Sequence, residues 1–433
     1  MEMCGSVGIH CEVVRGCLKT PSEELHDIVA EPEPRPNHWW NAVIVDGEWR
    51  IVDCALASPS HPKRSLLSAA GQTQAESHFF LIRPSEACFT HIPQLPEQQH
   101  IVPPVTNEVL AALPCACPPY FRSGLQLIDF DTTLLNLENL EMAHVKIEVA
   151  EDLECVAEVE VRGFIHDADG DVFEGGDVVR KPALAQPEWL GGRKHYIVKA
   201  VLPGDEGRGV LKVYAGKKGL MHSLKSNPHP LALALPLTHT GQNPPYDFLT
   251  RHPTPHAQRH DLYVAQPQCR KLVANNTFVF SIRQHPSSLS AAANAGPMMA
   301  GGPGSHSRAP SRNGAASPNP YMRPTSAMSN MSVSAAGSNF SAPSSNTSSS
   351  SSGNNGGHGN SNKPAKLAIQ SPSGRIIRLV RKQEQMASSG KEEDGDGTVW
   401  ETVVKLSERG VWRALVLADR SARWCVFGEW ECV

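Results

Sequence analysis

Between Leu125 and Ile282 apolar and polar residues alternate along the chain, as in Val145-Lys146-Ile147-Glu148-Val149 and Val156-Ala157-Glu158-Val159-Glu160-Val161. That two-residue period is the signature of a strand burying one face, so the segment is expected to be almost all strand and to close as a β-sandwich. The same grammar returns near the end of the chain. Val399–Leu406, Val411–Leu417 and Trp424–Val433 are rich in β-branched and aromatic residues and are separated by the turn segments Ser407-Glu408-Arg409-Gly410 and Asp419-Arg420-Ser421. A second, smaller β domain is expected over 364–433. Gly209-Val210-Leu211-Lys212 and Gly410-Val411-Trp412-Arg413 look alike. Either the two β domains are distant repeats or both segments follow common hairpin grammar. The first region, Met1 to about Pro104, mixes a short helix end with strand signals.

Composition changes the picture by removing part of the chain from the folded mass. At 433 residues the chain exceeds the roughly 250 to 300 at which a single core stops growing, so more than one folded unit is expected. From about Pro286 to Lys363 it becomes Ser, Asn, Gly, Ala and Pro with no Asp or Glu. Such a stretch cannot offset a backbone ordering cost of about 1 to 2 kcal/mol per residue, and a disordered linker is expected over 286–363. Ser311 and Ser317 stand there in basic-directed and proline-directed contexts, candidate phosphorylation positions in a segment where serine is abundant anyway. Pro114-Cys115-Ala116-Cys117-Pro118-Pro119 removes ladder donors. A boundary is expected there, between a first domain at 1–113 and a β-sandwich at 120–285.

A net charge of −4 offers no electrostatic footprint for nucleic acid or an anionic membrane, so a protein or small-molecule partner is favoured. The eleven cysteines are an odd number without framework spacing and read as reduced thiols. Met1 to Ile9 lacks a signal-peptide pattern, and the most apolar run, Leu231–Leu237, is too short to span a bilayer. A cytoplasmic protein with no transmembrane segment is the expectation.

The chemistry concentrates in Asn37-His38-Trp39-Trp40-Asn41-Ala42-Val43-Ile44-Val45-Asp46-Gly47-Glu48-Trp49-Arg50-Ile51-Val52-Asp53. Asp46-Gly47 between apolar flanks predicts a two-residue hairpin of the primed type. If Val45 faces Glu48, Trp40 faces Asp53 and His38 faces Ala55, all on one sheet face. His38 and Asp53 then become diagonal neighbours, close enough for a carboxylate to orient an imidazole. That pair supplies the base and its orienter for acyl transfer by a cysteine or serine nucleophile. A hydrogen-bonded pair with a purely structural role is the plainer alternative.

His38-x-Trp40-Asn41, a strand, a glycine turn, a Trp and an Asp fifteen positions after the His resemble the transglutaminase-like superfamily. With Asp53-Cys54-Ala55-Leu56-Ala57-Ser58-Pro59, Phe79-Phe80-Leu81-Ile82-Arg83-Pro84, Thr90-His91-Ile92-Pro93 and Gln98-Gln99-His100-Ile101-Val102-Pro103-Pro104, the segment resembles the fungal cytokinesis protein 3 family, related to kyphoscoliosis peptidase. The resemblance covers residues 1 to about 110 most specifically. It implies an α+β fold: a partial transglutaminase-like, papain-like core followed by immunoglobulin-like β-sandwich domains and the linker. It also implies an SH3 domain and a long linker ahead of this segment, and a nucleophilic Cys heading a helix that leads into a strand such as Gly8–Gly16. On this reading the chain starts at the end of that helix. Cys4 lies at the wrong end of it for a reactive thiolate, which is favoured at helix amino termini. Cys11 is expected to be packed and Cys17 exposed.

The resemblance implies a catalytically degenerate member. The first expectation is therefore a non-catalytic scaffold in cytokinesis, meeting ring and septum proteins through the cleft of the vestigial residues His38 and Asp53, without cofactor. The alternatives are a cysteine-dependent transglutaminase or protease whose Cys lies upstream, and a plain β-rich interaction protein. Asp167-Ala168-Asp169-Gly170-Asp171 departs from a calcium loop in its Gly position, and Cys115-x-Cys117 has no second ligand pair, so no metal is expected. His91 and His100 are expected to be structural hydrogen-bonders. Trp39 and Trp40 are expected to line the cleft or to enter the core, and an exposed one would suit a partner as an anchor.

Overall fold

The computed structural model describes residues 2–22, 24–30, 35–69, 73–129, 135–166, 172–203, 207–220, 226–243, 245–252, 254–284, 365–383, 398–417 and 423–433. The expected linker at 286–363 and the Asp167–Asp171 loop lie outside the described residues.

After α1 (Glu2–Ser6) the first region builds one antiparallel sheet from β1 (Cys11–Leu18), β2 (His38–Val45), β3 (Glu48–Val52) and β4 (His91–Pro93), in the order β3-β2-β1-β4. Short helices surround it: α2 (Glu24–Ala30), α3 (Cys54–Ala57), α4 (Arg64–Leu67), α5 (Pro84–Ala87) and α6 (Asn107–Ala112). The expected hairpin register holds from Val45↔Glu48 to Asn41↔Val52. Asp46 and Gly47 take φ of 54° and 79°, the left-handed pair that a primed turn requires. The expected pairing fails beyond Val52, because β3 ends there. Asp53 caps α3, so Ala55 is helical and does not face His38. His38 instead pairs with Gly16 of β1, whose other neighbour is Pro93 of β4. A Cβ on Gly16 would lie 2.1 Å from the Ile92 carbonyl oxygen and 2.5 Å from the Trp40 ring, so only glycine lets the two strands close around it.

The second region begins with β5 (Cys115–Ala116) inside the Pro-flanked segment, followed by α7 (Pro118–Arg122). Its further strands are β6 (Gln126–Ile128), β7 (Leu135–Glu138), β8 (Ala143–Val149), β9 (Leu153–His166), β10 (Val172–Pro182), β11 (Leu184–Leu190), β12 (Arg193–Ala200), β13 (Gly207–Lys217) and β14 (Leu231–Thr240). They form two sheets, β10-β9-β13-β14-β5 with β7 parallel to β14, and β11-β12-β8-β6. Their apolar faces enclose one core around Ile147, Val159, Val198 and Leu211.

In the third region the partners differ from expectation. Strands at 250–284, expected with the second region, pair instead with those of 367–432: Thr277–Gln284 runs antiparallel to Thr398–Lys405, and Thr250–Arg251 to Trp424–Cys432. Two sheets enclose Phe280, Trp412, Phe427 and Trp430. The architecture is thus mostly β. Every described helix is short, the longest being the seven residues of α2. No described helix is long and apolar enough to cross a membrane.

Candidate functional site

Asp53 is the node of the first region. As N-cap of α3 its Oδ1 accepts the Leu56 N–H at 2.9 Å, satisfying a donor that the helix start leaves open. Its Oδ2 lies 2.6 Å from His38 Nε2 and 3.1 Å from His91 Nε2. Asp53, His38 and His91 are 0%, 7% and 2% exposed. Burial works against ionising the carboxyl, but the hydrogen bonds from His38, His91 and the Leu56 N–H outweigh it and hold Asp53 well below the ordinary carboxylate range. An ionised carboxylate only accepts, so both imidazoles donate through Nε2–H. The second ring nitrogen of His38, Nδ1, is free of that contact, while His91 Nδ1 lies 2.9 Å from the Thr90 hydroxyl.

The predicted pair therefore meets, by another route than a cross-strand diagonal. Around the His38 ring stand Trp40, 6.2 Å away and stacked, His61, 5.7 Å away and edge-on, and His91, 6.2 Å away and tilted. Burial, then the charge of His38, lowers the pKa of His61. None of these partners is a cysteine. Cys11 is half-buried, and burial together with the neighbouring Cys4 sulfur raises its thiol pKa. Cys17 is buried beside Ile92, the reverse of the expected order of exposure.

Trp39 and Trp40 point to opposite faces. Trp40 is 3% exposed and edges onto His91, whereas Trp39 is 59% exposed with the Arg15 guanidinium 5.3 Å over its ring. His100 does not join the node; it stacks on Trp49 at 3.8 Å and lies 2.5 Å from Glu12. Cys115 and Cys117 are both buried, and hydrogen bonding to Cys115, then burial, pushes the Cys117 thiol well up.

His38, His91 and Asp53 are the one group of three potential metal ligands of this geometry among the described residues, their ligating atoms within 4.8 Å of one another. Two imidazoles and a carboxylate suit zinc or ferrous iron. Both nitrogens, however, already lie at hydrogen-bond distance from the oxygen, and a cation would have to replace two protons. Residue-by-residue reading missed His91 as a member of the node. Its one signal was the Thr90-His91 step at the head of a short apolar strand.

Residues 255–300 and 337–432 match the family model of the CYK3 C-terminal Ig-like domain. The whole chain aligns at 30% identity with cytokinesis protein 3 of Schizosaccharomyces pombe, covering 39% of that protein. It aligns equally at 30% with cytokinesis protein 3 of Saccharomyces cerevisiae, covering 40% of it. The chain belongs to the cytokinesis protein 3 family. It spans about two fifths of the length of these curated relatives. Weaker similarity, 24% over 139 residues, links 30% of the chain to the Lim and transglutaminase domain protein ltd-1 of Caenorhabditis elegans. The Ig-like match falls on the third region, including Thr277–Gln284, which pairs across to Thr398–Lys405.

Proposed function

We propose that the protein is a non-catalytic transglutaminase-like scaffold of cytokinesis, cytoplasmic and recruited to the actomyosin ring and septum by other division proteins. The names of its full-chain relatives support the process. One observation carries the non-catalytic part: Asp53 divides its carboxylate among Leu56, His38 and His91 and so ties together α3, β2 and β4. An orienter in acyl transfer serves one imidazole; a carboxylate shared by two buried imidazoles serves the joint. With His38 and Asp53 buried, the partner-binding face moves to the other side of β2. There Trp39, Arg15 and the exposed Val13 stand together as an aromatic and cationic anchor.

The 2.6 Å contact between His38 and Asp53 favours a second reading, a cysteine-dependent transglutaminase or protease whose thiol comes from outside this chain. Replacing the chromosomal gene with Trp39→Ala and His38→Gln forms separates the two. The scaffold reading expects the Trp39→Ala protein to keep its melting temperature and to lose recruitment to the septum. Normal septa with that variant sink the proposed face. Amine incorporation into a glutamine-bearing protein by the full-length protein, abolished by His38→Gln, hands the function to the second reading.

A further inference from the structure

A cavity of about 220 Å3 lies away from Asp53, where the second and third regions meet. Its floor is the start of β9 and the segment 181–187, and its roof is the segment 247–251 with the short helix Pro255–Arg259. Leu184, Phe248 and Leu249 supply apolar wall.

The charges around it are unequal in one respect. Each wall carboxylate is already satisfied. Asp261 takes Lys194 at 3.0 Å and Lys218 at 3.6 Å; Asp247 takes Lys181 at 3.3 Å; Glu154 takes His229 at 2.7 Å; Glu158 accepts from the Tyr214 hydroxyl at 2.7 Å. Among the wall cations, Lys181 and Lys218 are thereby paired, and Arg270 lies 3.7 Å from Glu431. Arg251 has no carboxylate within ion-pair distance among the described residues. Its guanidinium is pinned by main-chain carbonyls only, Nη1 donating to Ala185 at 2.7 Å and Nη2 to Leu262 at 3.3 Å. Two carbonyls fix the plane of the fork, and the charges of Glu154 and Asp261 act on it only from beyond ion-pair distance, which leaves the contact position beside the guanidinium open to a charged acceptor.

We infer that this cavity is a binding site for a single carboxylate carried on a short apolar body, with Arg251 as the anchor of the carboxylate and Leu184, Phe248 and Leu249 as the seat of the apolar part. The volume falls below the roughly 300 to 1,000 Å3 of sites for drug-sized ligands, which limits the occupant to about one side chain and its carboxylate. A free short-chain acid and the C-terminal residue of a peptide share that chemistry.

Titrating the methyl-labelled full chain with four probes tests it, reading the Leu184 and Leu249 signals by NMR. The probes are hexanoate and hexanamide, and acetyl-Gly-Ala-Leu with a free or an amidated C-terminus. The expected result is saturable binding of at least one acid, at least tenfold tighter than its amide, a difference of about 1.4 kcal/mol, with shifts at both leucines. Arg251→Gln should bring the acid down to the level of the amide. Hexanoate binding alone identifies a free acid and peptide binding alone a protein C-terminus, and either upholds the site. Should Arg251→Gln not fold, the acid-to-amide ratio on the unaltered chain decides. A ratio near one, shifts elsewhere only, or no binding of either acid at millimolar concentration overturns the inference.

Discussion

The C-terminal sheets are centred on aromatic side chains, whereas the N-terminal sheet sets a polar node beside its own apolar cluster of Val14, Trp40, Ala42, Ile51 and Leu56. At the centre of the former, Phe280 and Trp430 meet edge to face at 5.0 Å, with Trp412 and Phe427 in the same cluster. The indole N–H groups of Trp430 and Trp412 bond main-chain carbonyls of Pro267 and Glu408. Beside the apolar cluster of the latter, a carboxylate and two imidazoles are buried together. An apolar centre is held by area and is indifferent to direction and proton activity. A polar centre is held by geometry: it fixes how three segments meet, but each member depends on the others and on its charge state.

Removing the largest piece of each centre exposes the difference. Trp430→Ala should cost about 3 to 5 kcal/mol, seen as a drop in the denaturation midpoint. Asp53→Ala should cost about 3 kcal/mol, because it strands two buried imidazole donors and the Leu56 N–H. Asp53→Asn keeps one acceptor oxygen, which can still cap the Leu56 N–H while its NH2 obliges the two rings to accept through Nε2, and it should cost less than the Ala form. Equal losses for the Ala and Asn forms would mean that the hydrogen bonds are not what holds the joint. The carboxyl of Asp53 is depressed in the folded state, so its contribution is complete above its ordinary value of 3.8 and is lost only as the pH falls toward the folded value, in strong acid.

A gentler acid effect comes from His78, whose ring stacks on Phe121. Burial, then the charge of His91, pushes its pKa down to about 4 from 6.5. The unfolded chain therefore takes up this proton below pH 6.5 and the folded chain only near pH 4, so stability falls as the pH drops through that window. Allowing for its partial exposure, the loss should be about 1 to 2 kcal/mol, and His78→Phe should flatten it. The rings of Phe280 and Trp430 take up no proton, so the protection factors of their strands, with the intrinsic pH dependence of exchange divided out, should change less over the same range, the surface pair of His252 and Glu429 being the titrating contact there. A parallel decline in both regions would contradict the contrast.

Much of this was legible locally and little of it over distance. Asp46-Gly47 specified the register from Val45 down to Asn41 because the turn alone dictates it. Strands were expected at 399–406, 411–417 and 424–433, within a residue of where they lie, because β-branched and aromatic runs bounded by turn residues report on themselves. Alternation shows which face is buried but not which strand lies alongside, so the partnership of Thr277–Gln284 with Thr398–Lys405, across the low-complexity segment, left no trace. The contact between His38 and Asp53 was anticipated through the wrong geometry. Hairpin logic extended β3 by three residues, whereas the side chain of Asp53 bonds to the backbone ahead of it and starts a helix instead. His91 reached the node from thirty-eight positions away through a strand of three residues, too short to show a period.

The smallest effect on stability separates the two faces of β2. Trp39 and Trp40 are adjacent and identical in chemistry, and alternation sends one into the polar centre and the other to the surface. Trp40→Ala should cost about 3 to 5 kcal/mol, since it empties the space between His38, His91 and Gly16. Trp39→Ala removes a half-exposed ring and a guanidinium contact worth about 0.5 to 1 kcal/mol. If the polar centre serves only to hold this sheet in shape, Trp40→Ala should lower the melting temperature and abolish septum recruitment together. Trp39→Ala should barely move the melting temperature and still abolish recruitment. Recruitment that follows stability in both variants would return the functional surface to the buried face; recruitment lost at nearly constant stability in Trp39→Ala assigns it to the exposed one.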